Sequence, residues 1–322
     1  MTRAIRVHLP GGPEVLQWES VDVGAPAPGE VRVRHTAIGV NFIDIYHRTG
    51  LYPQPLPHIP GVEGAGIIEA VGTGVTGLKV GDRGAYALQI GAYAEERLIS
   101  ADRVVKIPDG VSDATAAASL LKGLTARFLV RRTYEVQPGD TILVHAAAGG
   151  VGLILCQWAK ALGASVIGTV STAEKAALCR AHGCDHPIVT RNSDFVDAVK
   201  ELTGGQGVPV VYDSIGRETF GKSLECLRPY GLMVLFGQSS GAVPPLDPNI
   251  LQRGSLYLTR PTLATYAANR KDLLEGSDEL FSLIGAGAIR ISVNHRFPLR
   301  DARLAHERLE ARQTTGSTIL TP

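Results

Sequence analysis

The sequence predicts an α/β protein of two domains, a β-rich unit at the front of the chain and a doubly wound parallel sheet behind it. Its 322 residues exceed what one hydrophobic core usually carries. Before residue 120 the chain shows short alternating runs broken by Gly and Pro, the pattern of an all-β unit. From residue 140 onward apolar runs of strand length alternate with stretches of helical length, the rhythm of βαβ units.

In the front unit the runs IRVHL, VRVRHTAIGV, AGIIEAVG, YAEERLIS and RVVKIP are separated by GG, PG, PGE, GTG and VGD. The segment 112–135 is helical in composition and begins at a Ser/Asp cap. Behind it, TILVH is a strand, and GGVGLILCQWAKALG a helix closed by Gly163. SVIGTV, PIVT, VPVVYDSI and LMVLFG are further strands, and STAEKAALCRAHG, SDFVDAVKELTGG and ETFGKSLECLR are the helices between them. A last strand lies near SLYLTRP. These strand cores are too apolar to face water, so both faces of the sheet are covered, and the right-handed crossover rule winds it in two directions. After residue 265, helical stretches alternate with RISVNHRF and STIL, a tail expected to return to the front unit.

The sharpest local signal is HAAAGGVG at 145–152, between a strand and a helix. Set against G-x-G-x-x-G it gives Ala147, Gly149 and Gly152. Gly149 allows close approach of a pyrophosphate and Gly152 allows strand and helix to pack. The helix N-terminus offers unpaired N–H groups and partial positive charge to phosphates. In its strand–turn–helix setting the motif indicates a Rossmann dinucleotide site.

Binders of NAD usually place an acid roughly 20 residues after the glycines, to accept from the ribose 2′-OH. Here the second strand ends in GTVSTAEK, with Ser171, Thr172 and Lys175 at that point and Arg191 after the third strand. Hydroxyls and cations suit a 2′-phosphate that a carboxylate would repel, so NADPH is the expected cofactor. Ser171 and Glu174 also read as a capping box, S-x-x-E. His145 is read as a satisfied structural histidine.

The net charge of +1 gives no electrostatic footprint for nucleic acid or an anionic membrane, so nucleic acid is an unlikely partner. No apolar run approaches the ~20 residues of a bilayer span, and the N-terminus lacks the apolar centre of a secretion signal. A cytoplasmic protein is expected. Cys156, Cys179, Cys184 and Cys226 form no C-x-x-C pair and are expected to be reduced thiols.

The motifs GGPEVL (11–16), NFID-x-Y-x-R-x-G-x-Y (41–52), PG-x-EGAG (60–66), VGDR (80–83), LLKGLTA (120–126), HAAAGGVG, QWAKALGA, VVYDSIG (210–216) and TTGSTIL follow one another along the chain. With them the chain resembles the zinc-free NADPH:quinone oxidoreductases, the zeta-crystallin type, of the medium-chain dehydrogenase/reductase superfamily. The resemblance spans essentially the whole length. It implies a GroES-like β-rich catalytic domain over 1–124, completed by 266–322, and a Rossmann NADP-binding domain over 125–265, with the active cleft between them. It also implies a homodimer formed through Rossmann edges, with SLYLTRP at the interface.

Metal-using members carry Cys where this chain has Asn41 and His where it has Val62. Zinc needs three or four thiolate, imidazole or carboxylate ligands, and these residues supply none, so no metal is expected. Without a Lewis acid, acceptors that are already electron-poor are favoured: quinones, or conjugated carbonyl compounds polarised by a hydrogen bond. The resemblance places Asn41 and Tyr46 at the cofactor–substrate junction and Tyr52 toward the acceptor. A tyrosine hydroxyl donates to a quinone oxygen and its ring stacks on the acceptor. Packing is the competing role for Tyr46; Asp44 and Glu63 are read as structural hydrogen bonders, with a cleft role as the alternative for Asp44. Thr125 is implied at the nicotinamide end, and Lys122 near it. Gly149, Gly150, Val151, Ser171, Lys175, Phe236, Gly237, Ser239 and Arg312 are implied cofactor contacts. Bacterial relatives tend to carry Tyr where this chain has Thr190, so phosphate contact there is either weaker or left to Arg191.

The expected activity is therefore hydride transfer from NADPH to an electron-poor quinone. The alternatives are NADPH-dependent reduction of an activated C=C bond in an enone or alkenal, and a non-enzymatic RNA-binding or structural role.

Overall fold

The computed structural model describes residues 1–322. The chain divides into two compact units: Met1–Lys122 with Asn269–Ala286 and Ile291–Pro322, and Gly123–Ala268 with Gly287–Arg290.

The first unit opens with β1 (Thr2–Arg6) antiparallel to β2 (Gln17–Val21). The long β3 (Glu30–Val40) then leads into the short helix α1 (Phe42–Thr49), followed by β4 (Glu63–Val71), β5 (Arg83–Ala87), β6 (Glu96–Ser100) and β7 (Val105–Lys106). In β3, Val31 and Val33 are buried while Arg32 and Arg34 face outward. Beyond Ala37 the alternation stops and the strand is buried on both faces as it approaches α1.

Helix α2 (Asp113–Phe128) starts where Ser112 Oγ accepts from Thr115 N at 3.0 Å. The helical stretch expected to run to 135 ends earlier as an α-helix and continues as one π-helical turn, Leu129–Thr133. Tyr212 Oη donates to the Leu129 carbonyl at 3.1 Å, giving the widened turn a partner outside the helix.

The second unit alternates β8 (Thr141–Val144), α3 (Gly150–Ala161), β9 (Ser165–Val170), α4 (Ala173–Arg180), β10 (His186–Val189), α5 (Phe195–Leu202), β11 (Val208–Asp213), α6 (Phe220–Glu225), β12 (Leu227–Leu235), β13 (Tyr257–Thr259) and the one-turn α7 (Leu263–Tyr266). Its six strands lie in the order β10-β9-β8-β11-β12-β13, every pair parallel. This is the Rossmann order, which reverses between β8 and β11. Leu143, Ile167 and Val211 of the sheet pack with Phe195 and Val199 of α5 and Phe220 of α6 in one core cluster.

The tail then returns to the first unit as α8 (Arg270–Gly285), β14 (Val293–Pro298), α9 (Ala302–Glu310) and β15 (Ser317–Thr321). Strand β15 pairs with β3, extending a seven-stranded sheet of order β14-β15-β3-β4-β5-β7, in which β6 also pairs with β3. Two elements from the C-terminal end of the chain therefore flank the start of α1: β15 pairs along the end of β3, and α9 shares a core with Val40 and Tyr93.

Candidate active site

Asn41 is the N-cap of α1, with φ −135° and ψ 154°, and Asp44 at the third helical position accepts from Asn41 N at 2.8 Å. Asn and Asp at these positions satisfy helix-start donors that no intrahelical carbonyl can reach. Gly50, with φ +78°, ends the helix in the left-handed conformation that glycine adopts without strain.

The Asn41 side chain is fixed from a second direction. Its Nδ2 donates to Glu63 Oε2 at 2.9 Å, and Lys122 Nζ donates to the same oxygen at 2.9 Å. Leu121 N donates to Glu63 Oε1 at 2.7 Å. Glu63 is fully buried and both Asn41 and Lys122 nearly so. A buried carboxylate tolerates this only when a cation and enough donors compensate it, and all are present. Gly39 makes room for it: a Cβ there would collide with the Glu63 carboxylate and the Ala117 carbonyl. With the Asn41 amide engaged by Glu63 and Val62 a buried hydrocarbon, this corner holds no metal ligand set, and no group of three or more His, Cys, Asp or Glu is placed to form one.

Asp44 is also completely buried. Its Oδ2 accepts from Asn41 N and from Tyr93 Oη at 3.0 Å, while Oδ1 has no partner. Burial raises its carboxyl to about 7, against the lowering effect of those two hydrogen bonds. Tyr46, one turn into α1, meets Tyr52 edge-on with ring centroids 5.1 Å apart, and Tyr52 N donates to Tyr46 O at 3.0 Å. The Phe42 ring lies 5.9 Å from that of Tyr46, centroid to centroid. Asn41, Tyr46 and Tyr52 are thus gathered on one helix and the turn after it. Arg312 belongs to the same unit but lies beyond α9, exposed, with φ +57°.

In the second unit the glycine turn sits at the end of β8. Gly149 caps α3 with φ −78° and ψ 174° and offers no side chain to the first-turn N–H groups. A helix start without its own capping side chain is one that an anion can satisfy. A Cβ on Gly152 would stand 2.5 Å from Ala146 O and 2.7 Å from Ala147 Cα, so backbone packing alone demands glycine there. A Cβ on Gly149 would meet only Ala146 O, at 3.2 Å. Ala147 takes the first glycine place of the motif because the facing strand supplies the space: Gly168 of β9 would put a Cβ 2.7 Å from Ala147 Cβ.

Ser171, Thr172 and Lys175 stand where β9 gives way to α4, but the cap is not the one expected. Thr172, not Ser171, is the N-cap, its Oγ1 accepting from Lys175 N at 3.3 Å. The S-x-x-E reading of Ser171 and Glu174 as a capping box is corrected: the helix begins one residue later, at Ala173. Thr190 turns its hydroxyl back on Val170 O at 3.2 Å, and Arg191 beside it is exposed. Phe236, Gly237 and Ser239 leave β12 alongside the end of β11, where Phe236 N and Gly237 N reach Asp213 O and Ser239 N reaches Ser214 O. The glycine turn and the 171–175 and 236–239 segments thus lie at the carboxyl ends of parallel strands about the point where strand order reverses, the usual ligand crevice of such sheets. Thr125 lies on α2, half-buried.

His145 is satisfied on both ring nitrogens, by Thr169 Oγ1 and Ser223 Oγ, each at 2.8 Å. Ser223 and Thr219 in turn bond Asp213 Oδ2. Burial holds the imidazole below its ordinary value. This histidine ties β8 to β9 and α6.

Sequence reasoning missed Tyr93 and His306, and named Arg48 only as a letter of the 41–52 motif; all three are buried and connect to Asp44 through hydrogen bonds spanning up to 258 residues. Charged and aromatic residues in ordinary sequence context signal such a role only once the tail has packed.

The alcohol dehydrogenase GroES-like domain family matches residues 27–109, and the zinc-binding dehydrogenase family matches residues 150–280. The chain is 53% identical to a quinone oxidoreductase of Pseudomonas aeruginosa, covering all of both chains. It is 48% identical to a 2-haloacrylate reductase of a Burkholderia species, over all of this chain and 99% of the other. Among solved structures, Escherichia coli quinone oxidoreductase complexed with NADPH superposes with a TM-score of 0.98 at 51% identity, covering 99% of this chain and 100% of that one.

Proposed function

We propose that this chain, which belongs to the quinone oxidoreductase family of the medium-chain dehydrogenase/reductase superfamily, reduces a quinone with NADPH. When bound, NADPH supplies the hydride; the protein supplies position, polarity and exclusion of water. The observation that carries the reading is the helix start of α3, capped by glycine alone, together with a β9 end that has Ser171 and Lys175 where a carboxylate would select NADH.

Gly149, Gly150, Val151 and Gly152 receive the diphosphate through backbone N–H groups. Ser171, Lys175 and Arg191 meet the 2′-phosphate, since a hydroxyl and two cations stabilise an anion that a carboxylate would repel. Phe236, Gly237, Ser239, Thr125 and Arg312 complete the cofactor contacts. Asn41, held by Glu63, fixes the reacting end, and the hydroxyls of Tyr46 and Tyr52 donate to the acceptor oxygen while their rings stack against it. A reduced quinone collects its remaining proton from solvent, so no strong dedicated acid is required.

The similarity to a 2-haloacrylate reductase makes an activated C=C bond the second acceptor class. Spectrophotometric oxidation of NADPH and NADH with 1,4-benzoquinone, and with an alkenal in parallel, tests both points. Equal use of the two cofactors would overturn the 2′-phosphate assignment, and faster turnover of the alkenal would reverse the order of acceptors.

A homodimer through the sheet edge at β13 is part of the same proposal, supported by an edge strand whose Tyr257 is 60% exposed. A reducing compartment such as the cytoplasm suits four cysteines that are all free. No helix is long and apolar enough to cross a membrane.

A further inference from the structure

Asp44 joins a row of buried groups whose hydrogen bonds run in one direction. Arg48 Nη1 lies 3.2 Å from His306 Nδ1, His306 Nε2 lies 2.9 Å from Tyr93 Oη, and Tyr93 Oη lies 3.0 Å from Asp44 Oδ2. Arg48, His306, Tyr93 and Asp44 are each no more than 1% exposed.

A guanidinium has donors only, so His306 Nδ1 must present its lone pair to Arg48. Burial beside that cation drives the imidazole down to about 3, which leaves it neutral with its one proton on Nε2. Nε2–H therefore donates to the Tyr93 oxygen, and the Tyr93 hydroxyl proton has one acceptor left, Asp44 Oδ2. That oxygen already accepts from Asn41 N and cannot itself carry a proton. Any proton Asp44 takes up goes to Oδ1, which has no partner. The row's direction is set at its far end, where Glu310 grips both Arg48 terminal nitrogens at 2.7 and 3.0 Å and Gly11 O accepts from Arg48 Nε.

We propose that Tyr93 and His306 are positioning residues of the acceptor site: with Arg48 they keep Asp44 Oδ2 an obligate acceptor and so fix the entry of α1, where Asn41 and Tyr46 sit. The inference rests on the reading of Asn41 and Tyr46 given above. Two further charged groups act on Asp44, Lys122 favouring its ionised form and Glu63 opposing it. The tail of the chain thereby orders a site whose own residues lie more than 250 positions away.

Tyr93→Phe removes the donor to Asp44 and leaves His306 Nε2–H without an acceptor. In the full-length enzyme with NADPH and 1,4-benzoquinone, kcat/KM for the quinone is expected to fall roughly tenfold while the NADPH Kd stays within about twofold, the loss of one hydrogen bond to a charged group. The midpoint of the pH profile of kcat/KM moves upward, because a bond favouring the ionised carboxylate is gone. His306→Gln keeps an acceptor for Arg48 and a donor for Tyr93 and retains the parent profile; His306→Leu takes the donor from the Tyr93 oxygen, whose hydroxyl still donates to Asp44 but less strongly, so the midpoint and kcat/KM move in the same direction as in Tyr93→Phe and by a smaller amount. Should Tyr93→Phe fail to fold, the two His306 variants decide by the same readouts. An unmoved midpoint in His306→Leu, or NADPH affinity falling in parallel with quinone turnover, would overturn the proposal. Failure of the underlying site reading shows separately, as unchanged benzoquinone kinetics in Asn41→Ala and Tyr46→Phe.

Discussion

Lys122 Nζ lies 2.9 Å from Glu63 Oε2, with both side chains withdrawn from solvent. A buried pair of this kind is kept by mutual dependence rather than by a large net gain, because each ion's desolvation opposes their attraction. Lys122→Met therefore leaves an uncompensated carboxylate and is expected to destabilise the first unit by about 3–5 kcal/mol. The double variant Glu63→Gln, Lys122→Met costs less than the two single changes together. Denaturant unfolding of the four proteins measures this coupling, and simple additivity would contradict it.

Gly149 and Gly152 share a motif but fail differently when a methyl is added. Gly152→Ala drives a Cβ to 2.5 Å from Ala146 O, so the turn must shift, and both the unfolding temperature and NADPH affinity are expected to drop. Gly149→Ala meets one atom at 3.2 Å and leaves the fold nearly untouched, so any loss of NADPH affinity there reports the cofactor's own approach. Thermal melts set beside fluorescence titrations with NADPH separate the two.

The parallel sheet and its glycine turn were legible because they are local: a strand, a Gly-rich turn and a helix written consecutively at 141–161. The start of α4 was harder. Ser171 with Glu174 and Thr172 with Lys175 both offer a hydroxyl three residues ahead of a charged residue, and only the backbone geometry at Thr172 decides between them. The π-helical turn at Leu129–Thr133 has no local signature at all, since it leans on Tyr212 from a strand 83 residues later. The hydrogen-bond row from Arg48 to Asp44 was invisible for the same reason, its central partner lying in the C-terminal helix.

Because Thr172 is the N-cap of α4, Ser171 can be replaced without removing the helix cap. Ser171→Asp places a carboxylate where the 2′-phosphate would lie, and the NADPH/NADH ratio of kcat/KM is expected to fall by roughly tenfold or more, like charges being brought together. Steady-state kinetics with both cofactors check this, and an unchanged ratio would move the 2′-phosphate away from Ser171.

The Tyr46 ring contacts those of Phe42 and Tyr52, and this packing is kept in Tyr46→Phe while the hydroxyl is lost. Turnover with 1,4-benzoquinone is expected to fall by about tenfold with little change in NADPH affinity, the worth of one donated hydrogen bond. Unchanged kinetics would assign the residue to packing.

The pH dependence of stability follows from four buried groups in the first unit. Burial lowers His35 and His306 to about 3 and His47 to about 4, from an unfolded value near 6.5. For these the unfolded chain binds protons first, so their contribution is complete above pH 6.5 and is lost as pH falls toward 3. Asp44 runs the other way. Its folded value of about 7 lies above the unfolded 3.8, so its contribution is present at low pH and is lost as pH rises to 7. Between pH 6.5 and 4 the three histidines oppose the single aspartate, and the unfolding temperature is expected to fall as acid is added. His306→Gln removes one of the three groups and flattens that limb, whereas Asp44→Asn removes the opposing group and steepens it. Melting curves across this range test both signs, and a melting temperature that rises on acidification would show that the histidines do not remain neutral in the folded chain.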